Sequence, residues 1–209
     1  QPESGFSYHR DFFEDLVDTA LKHATKIGAS DAASEASEGC GLSVSVRKGE
    51  LENVERNRDK SLGVTVYVGQ KRGNASTSDF SKAAIEQTVQ AAFEIARFTA
   101  TDKTSGLPDA RDISRKHPEL DLFHPWTIET AEAIEIAQRM EQAAFAVDRA
   151  ISNSEGAEAG WGRAVVTVTA TNGFSHTYSS SHFSLSAAVL AGTGTGMERD
   201  YDYTGAVYA

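Results

Sequence analysis

At 209 residues and 40% hydrophobic content, the chain can build one large domain or two small ones. Its 24% charged and 9% aromatic residues are ordinary globular values, which argues against disorder. The 30 acidic and 20 basic residues leave a net charge of -10. That charge repels phosphate backbones and anionic lipid, and no dense Lys/Arg stripe offsets it, so neither nucleic acid nor a membrane is expected as a partner.

The single cysteine, Cys40, excludes an intrachain disulfide and fits a reducing compartment. No apolar run approaches the ~20 residues of a membrane helix, and the first five residues lack the basic and apolar regions of a signal peptide. A cytoplasmic location is expected. The chain starts without Met and stops within an apolar, strand-like stretch (Val207, Tyr208, Ala209), so it reads as a fragment.

Residues 8–27 place Phe12, Phe13, Leu16, Val17, Ala20, Leu21 and Ala24 on one helical face, with Gly28 where a C-terminal cap belongs. Short strands are predicted at 32–37, 42–47 and 62–68. In the second, Leu42, Val44 and Val46 alternate with Ser43, Ser45 and Arg47, the pattern of one buried face. Lys48 to Glu50 reads as a tight turn and 50–56 as a polar, exposed strand; residues 69–73 give another turn.

Thr77, Ser78 and Asp79 are N-cap candidates for a second helix over 81–98, with Ile85, Val89, Ala92, Phe93 and Ala96 inward. Residues 99–125 are loop-rich and hold three of the four prolines. A third helix is predicted from Thr127 to about Asp148, with Ile134, Ala137, Met140, Ala144 and Val147 facing inward. Strands follow at 163–170, 174–179 and 183–191, with a turn at Ser179 to Ser181.

The fold class expected is α+β, with long amphipathic helices packed on a mainly antiparallel sheet. The order helix, Ser-Glu strand, Gly, alternating strand and Gly turn occurs twice, which raises the reading of two duplicated helix-plus-strands halves. The domain division is 6–100 for the first half, 101–126 for a connecting loop and 127–209 for a second half truncated at its C-terminal end.

Chemistry is sparse. Among the six histidines no pair has the one-turn helical spacing of a zinc protease. His9 and His23 are too far apart, His117 and His124 precede prolines, and a turn is expected between His176 and His182. Cys40 has no basic residue beside it in sequence and there is no Gly-x-Ser-x-Gly elbow. The run from Gly192 to Gly196 lacks the Gly-Lys-Ser/Thr ending of a phosphate loop and reads as a strand connection. Arg199, Asp200, Tyr201, Asp202 and Tyr203 form a polar-aromatic cluster suited to a contact surface, although an exposed strand with alternating Tyr has the same pattern.

Several segments carry a family resemblance. Residues 41–47 (GLSVSVR) with 49–54 (GELENV), and 62–68 (LGVTVYV) with 73–79 (GNASTSD), resemble two signatures of the PmbA/TldD family. Residues 120–125 (LDLFHP), 151–156 (ISNSEG) and 197–201 (MERDY) resemble its PmbA branch, also called TldE.

The resemblance implies a subunit of a two-subunit metalloprotease for peptide maturation and protein turnover. In that family a TldD-type subunit supplies the zinc through a His-Glu-x-x-x-His helix, and the PmbA-type subunit lacks those ligands. Expected partners are a TldD-like subunit or a second copy of the chain, and unfolded peptide. No catalytic or metal residue is expected here; zinc belongs to the partner. Val54, Arg199, Asp200 and Tyr201 are the expected contact residues for substrate or partner. An older family label, modulator of DNA gyrase, fits poorly with the negative charge. The alternatives are a peptide-binding or assembly module without proteolytic activity, and an enzyme acting through its own carboxylates.

Overall fold

The computed structural model describes residues 5–126 and 128–208. Three helices and six strands follow in the order α1 (Arg10–Lys26), β1 (Asp31–Arg47), β2 (Glu50–Val68), β3 (Lys71–Thr77), α2 (Lys82–Phe98), α3 (Thr130–Phe145), β4 (Ile151–Ala170), β5 (Ser175–Ala191) and β6 (Glu198–Ala206). The strands form one antiparallel sheet in the order β3-β2-β1-β4-β5-β6, so the class is α+β as expected.

Several strands expected as separate pieces are continuous. Residues 32–37 and 42–47 are one strand, as are 50–56 and 62–68. The turn expected at Ser179 to Ser181 is absent, and β5 runs straight through it. Gly41 accounts for the first of these differences. A Cβ there would lie 2.8 Å from the Trp161 carbonyl oxygen, so glycine marks a close strand approach rather than a turn.

The chain forms two compact units that interleave along the sequence, and β1, β2, β4 and β5 contribute residues to each. Unit 1 takes residues 1–39, 59–120 and 164–179. Its core comes from Phe13, Val17, Ala20 and Ala24 of α1, Ile85, Val89, Ala92 and Ala96 of α2, and Ala32, Ala36, Leu62, Val64 and Val66 of the sheet. The α1 periodicity is borne out, with Phe12 only half-buried; in α2, Thr88 is buried and Phe93 is half-buried. The α2 N-cap is Ser81, whose hydroxyl accepts from Ala84 N–H, rather than a residue of 77–79. Helix α2 lies hard against β3: a Cβ on Gly73 would sit 2.0 Å from the Ala92 carbonyl oxygen.

Unit 2 takes residues 40–58, 121–163 and 180–209. Leu42, Val44 and Val46 of β1, Ala157 and Ala159 of β4, and Ile128, Ala133 and Ala137 on or before α3 make its core, with Trp126, Trp161 and Leu185 packed on it. Thr127, expected to open the third helix, and Ala209 lie outside the described residues. The face of α3 differs from that expected. Ala133, Ala137 and Glu141 are the buried positions, Ile134, Met140 and Ala144 are half-buried, and Val147 is exposed beyond the helix end.

The buried carboxylate has a reason. Lys48 and Gly49 have φ of 51° and 79°, the left-handed pair of a two-residue hairpin turn. Their amides donate to Glu141 Oε1 and Oε2, each at 2.8 Å, and Gln138 Nε2 donates to the Gly49 carbonyl at 2.7 Å. Helix α3 thus clamps the β1–β2 turn through charge-assisted bonds.

Candidate functional site

Unit 2 carries the residues singled out from sequence, and it places them on two different strand edges. Strand β3 pairs with β2 only between Leu62 and Val68. The preceding half of β2 therefore has β1 as its one neighbouring strand among the described elements. Residues 50–59 are all exposed, as expected for a polar strand, and Leu51 and Val54 are its apolar members. Arg47 Nη1 lies 3.9 Å from Glu52 Oε1, and Arg56 Nη2 donates to Thr130 Oγ1 at 2.7 Å.

The other edge is β6, paired to β5 with Arg199 opposite Leu190, Asp200 opposite Val189 and Tyr201 opposite Ala188. Every residue of β6 is exposed. Arg199 Nε donates to Glu155 Oε2 at 2.6 Å while its guanidinium lies 5.4 Å from the Tyr201 ring centroid. Asp200 Oδ1 accepts from Tyr201 N–H at 2.9 Å and Asp202 Oδ1 from Tyr203 N–H at 2.8 Å. Internal carboxylates thus already occupy two β6 amides, a device that discourages a further strand from pairing there. Val54 and the 199–201 cluster are consequently not one site; β1, β4 and β5 lie between their strands.

Three constellations invisible in sequence deserve a chemical reading. Ser181, His124 and Asp121 converge, yet the serine hydroxyl donates to the Leu122 and Val207 carbonyls and accepts from the His124 backbone amide at 2.9 Å. The His124 ring instead meets Asp121, with Nε2 at 2.8 Å from its carbonyl oxygen. This clips a loop to β5, and it is not the arrangement of a nucleophile facing its base. Cys40, which has no basic sequence neighbour, receives a hydrogen bond from Arg163 Nε at 3.2 Å, and Arg163 in turn stacks over Trp161. Lastly, an apolar groove of about 270 Å³ runs between α3 and the sheet, walled by Trp126, Ile136, Trp161, Phe183 and Leu185, and the buried Trp161 Nε1–H has no acceptor among the described residues.

Among the described residues no group of three or more His, Cys, Asp or Glu side chains is arranged to hold a metal ion. No helix among them is long and apolar enough to cross a membrane.

Residues 35–96 match the model for PmbA/TldA metallopeptidase domain 1, and residues 123–208 match that for the PmbA/TldA metallopeptidase central domain. The chain belongs to the PmbA/TldD family. It is 45% identical to Metalloprotease PmbA of Escherichia coli O157:H7 over 196 residues, which are 93% of the chain and 43% of that protein. It is 43% identical to the Metalloprotease PmbA homolog of Haemophilus influenzae over 188 residues, 90% of the chain and 42% of the relative. The chain therefore spans less than half the length of these curated relatives. Among solved structures, a putative modulator of DNA gyrase from Bacteroides thetaiotaomicron superposes with a TM-score of 0.83 at 23% identity, covering 93% of this chain and 45% of that one. TldE from Thermococcus kodakarensis gives 0.69 at 12% identity, covering 94% and 43%. These two likenesses concern the fold. The sequence segments that resembled the PmbA/TldD family thus led to the right family.

Proposed function

We infer that the chain is part of a PmbA-type subunit of a cytoplasmic, two-subunit metalloprotease. In this reading the subunit is non-catalytic and serves peptide maturation and protein turnover. A TldD-like partner holds the zinc that activates water for hydrolysis. The observation that carries the reading is the 45% identity to a metalloprotease PmbA across 93% of the chain.

What such a subunit can do follows from its edges. An extended peptide adds to an open strand through backbone hydrogen bonds, which bind without regard to sequence. The half of β2 around Val54 is an exposed edge of this kind, whereas two amides of β6 are already taken by Asp200 and Asp202. The Val54 edge is therefore the substrate-holding strand, and the Arg199–Tyr201 surface is the partner-facing one.

The test uses the full chain with a TldD-like subunit. The pair should cleave unfolded peptide in a chelator-sensitive way, and the PmbA-type subunit alone should not. Chelator-sensitive cleavage by the subunit alone overturns the non-catalytic role. Val54→Pro breaks the regular strand at this point and should weaken peptide capture while leaving assembly intact. If assembly fails while residual complexes bind peptide normally, the strand is an interface element and the substrate role is wrong.

A further inference from the structure

Between α2 and α3 the chain runs from Thr99 to Glu129 without a described helix or strand. So long an irregular segment needs fixed points to stay in place. One of them, inside unit 1, is a pair of imidazoles. His117 of the segment stacks on His176 of β5, with ring centroids 4.2 Å apart and planes inclined by 22°. The His117 ring also meets Phe174 edge-on at 5.7 Å, and His176 lies parallel to Tyr178 at 6.0 Å. His176 and Tyr178 alternate along β5 and share one side of the strand, with Phe174 just before its first residue. The pairing of β6 with β5 runs from Phe183 to Ala191, which leaves this half of β5 without β6 beside it.

The charges around the pair come from three elements. On α1, Arg10 Nη2 donates to the Thr177 carbonyl at 2.7 Å, and Glu14 Oε1 accepts from the Thr177 hydroxyl at 3.3 Å. On the segment, Glu119 faces His176. On β5 itself stands Tyr178, and the β4 residues bonded across to Ser175 and Thr177 are the uncharged Thr169 and Thr167. Burial holds His176 below the ordinary imidazole value of 6.5; His117 and Arg10 push the same way, and Glu119 opposes them.

We propose that His117 and His176 form a proton-operated latch, which clips residues 108–120 over β5 while both rings are neutral and opens when both are protonated. Neutral imidazoles stack favourably, whereas two imidazolium rings in contact repel and each gains more from water. The sign follows from linkage. His176 binds its proton more weakly in the closed form than when released, so the latch contribution is full above 6.5 and is lost as pH falls through the lower folded value. The bond from Asn172 Nδ2 to the Pro108 carbonyl carries no titratable group and persists, so opening is local and leaves the unit folded. Opening frees Phe174 and His176 from the His117 ring. The latch does not depend on the protease reading.

Hydrogen exchange on the full chain tests it, corrected for intrinsic rates and compared at about pH 7.5 and about pH 5, which bracket histidine titration. Protection of residues 108–120 should be lost at the lower pH, while α1 changes little. His176→Phe keeps an aromatic stack that takes no proton, so the segment should stay protected at both pH values; His117→Phe should do the same. His176→Ala should leave it exposed at both. Parent protection that does not change with pH, or a Phe variant that loses protection as the parent does, overturns the latch.

Discussion

Glu141→Gln isolates the clamp between α3 and the β1–β2 turn. The carboxylate is 1% exposed and gives one oxygen to each of two amides at 2.8 Å. Hydrogen bonds to a charged group contribute about 1.5–3 kcal/mol each. Glutamine keeps the shape but has only one acceptor oxygen, so it loses one bond and turns an NH2 toward an N–H donor. Part of that loss is offset because a charge no longer has to be buried. The net destabilisation should be about 2–3 kcal/mol, which in a chain of this size lowers Tm by roughly 4–12 °C. Denaturant unfolding would give the free energy, and hydrogen exchange would show whether the Lys48 and Gly49 amides lose protection while unit 1 keeps its own. A variant within about 0.5 kcal/mol of the parent, with both amides still protected, would refute the clamp, because surface-type substitutions fall in that range.

Other outcomes can be checked in parallel. Gly73→Ala forces a Cβ to within 2.0 Å of the Ala92 carbonyl oxygen, so α2 must lift from β3 at a cost of at least about 2 kcal/mol, measured by chemical denaturation. Lys60 sits 4.8 Å from the Phe80 ring centroid, 5.3 Å from that of Tyr8, and donates to the Tyr8 hydroxyl at 2.9 Å. Lys60→Met should therefore lose about 1–2 kcal/mol, with Lys60→Arg recovering part of it. Asp79 is held below its ordinary value of 3.8, chiefly by the Ser81 backbone amide and then by the Ser81 hydroxyl. Its contribution is present above 3.8 and is lost as pH falls through the lower folded value, and Ser81→Ala should move its NMR titration midpoint upward.

The helices were legible because a core-facing helix must repeat its apolar residues every three to four positions. Phe13, Val17, Ala20 and Ala24 obey that rule locally, whatever they pack against. The 42–47 part of β1 was legible for the same reason, through its buried alternation at Leu42, Val44 and Val46, and the exposed tyrosines of β6 gave a strand only as the alternative to a contact cluster. The family was legible too, since its marks are ordered segments of sequence. Strand continuity was not, because glycine and serine runs look like turns until the neighbouring strand is in place; Gly41 needs Trp161 to explain it, and Ser181 needs Leu122 and Val207. A charge on a helix reads as outward-facing, so nothing local marked Glu141 as the third buried position of α3; its partners lie more than 90 residues earlier, at Lys48 and Gly49. Arg163 beside Cys40 and His117 on His176 are likewise products of tertiary approach. Periodicity records which face of an element leaves water, and it carries no information about which distant group is waiting there.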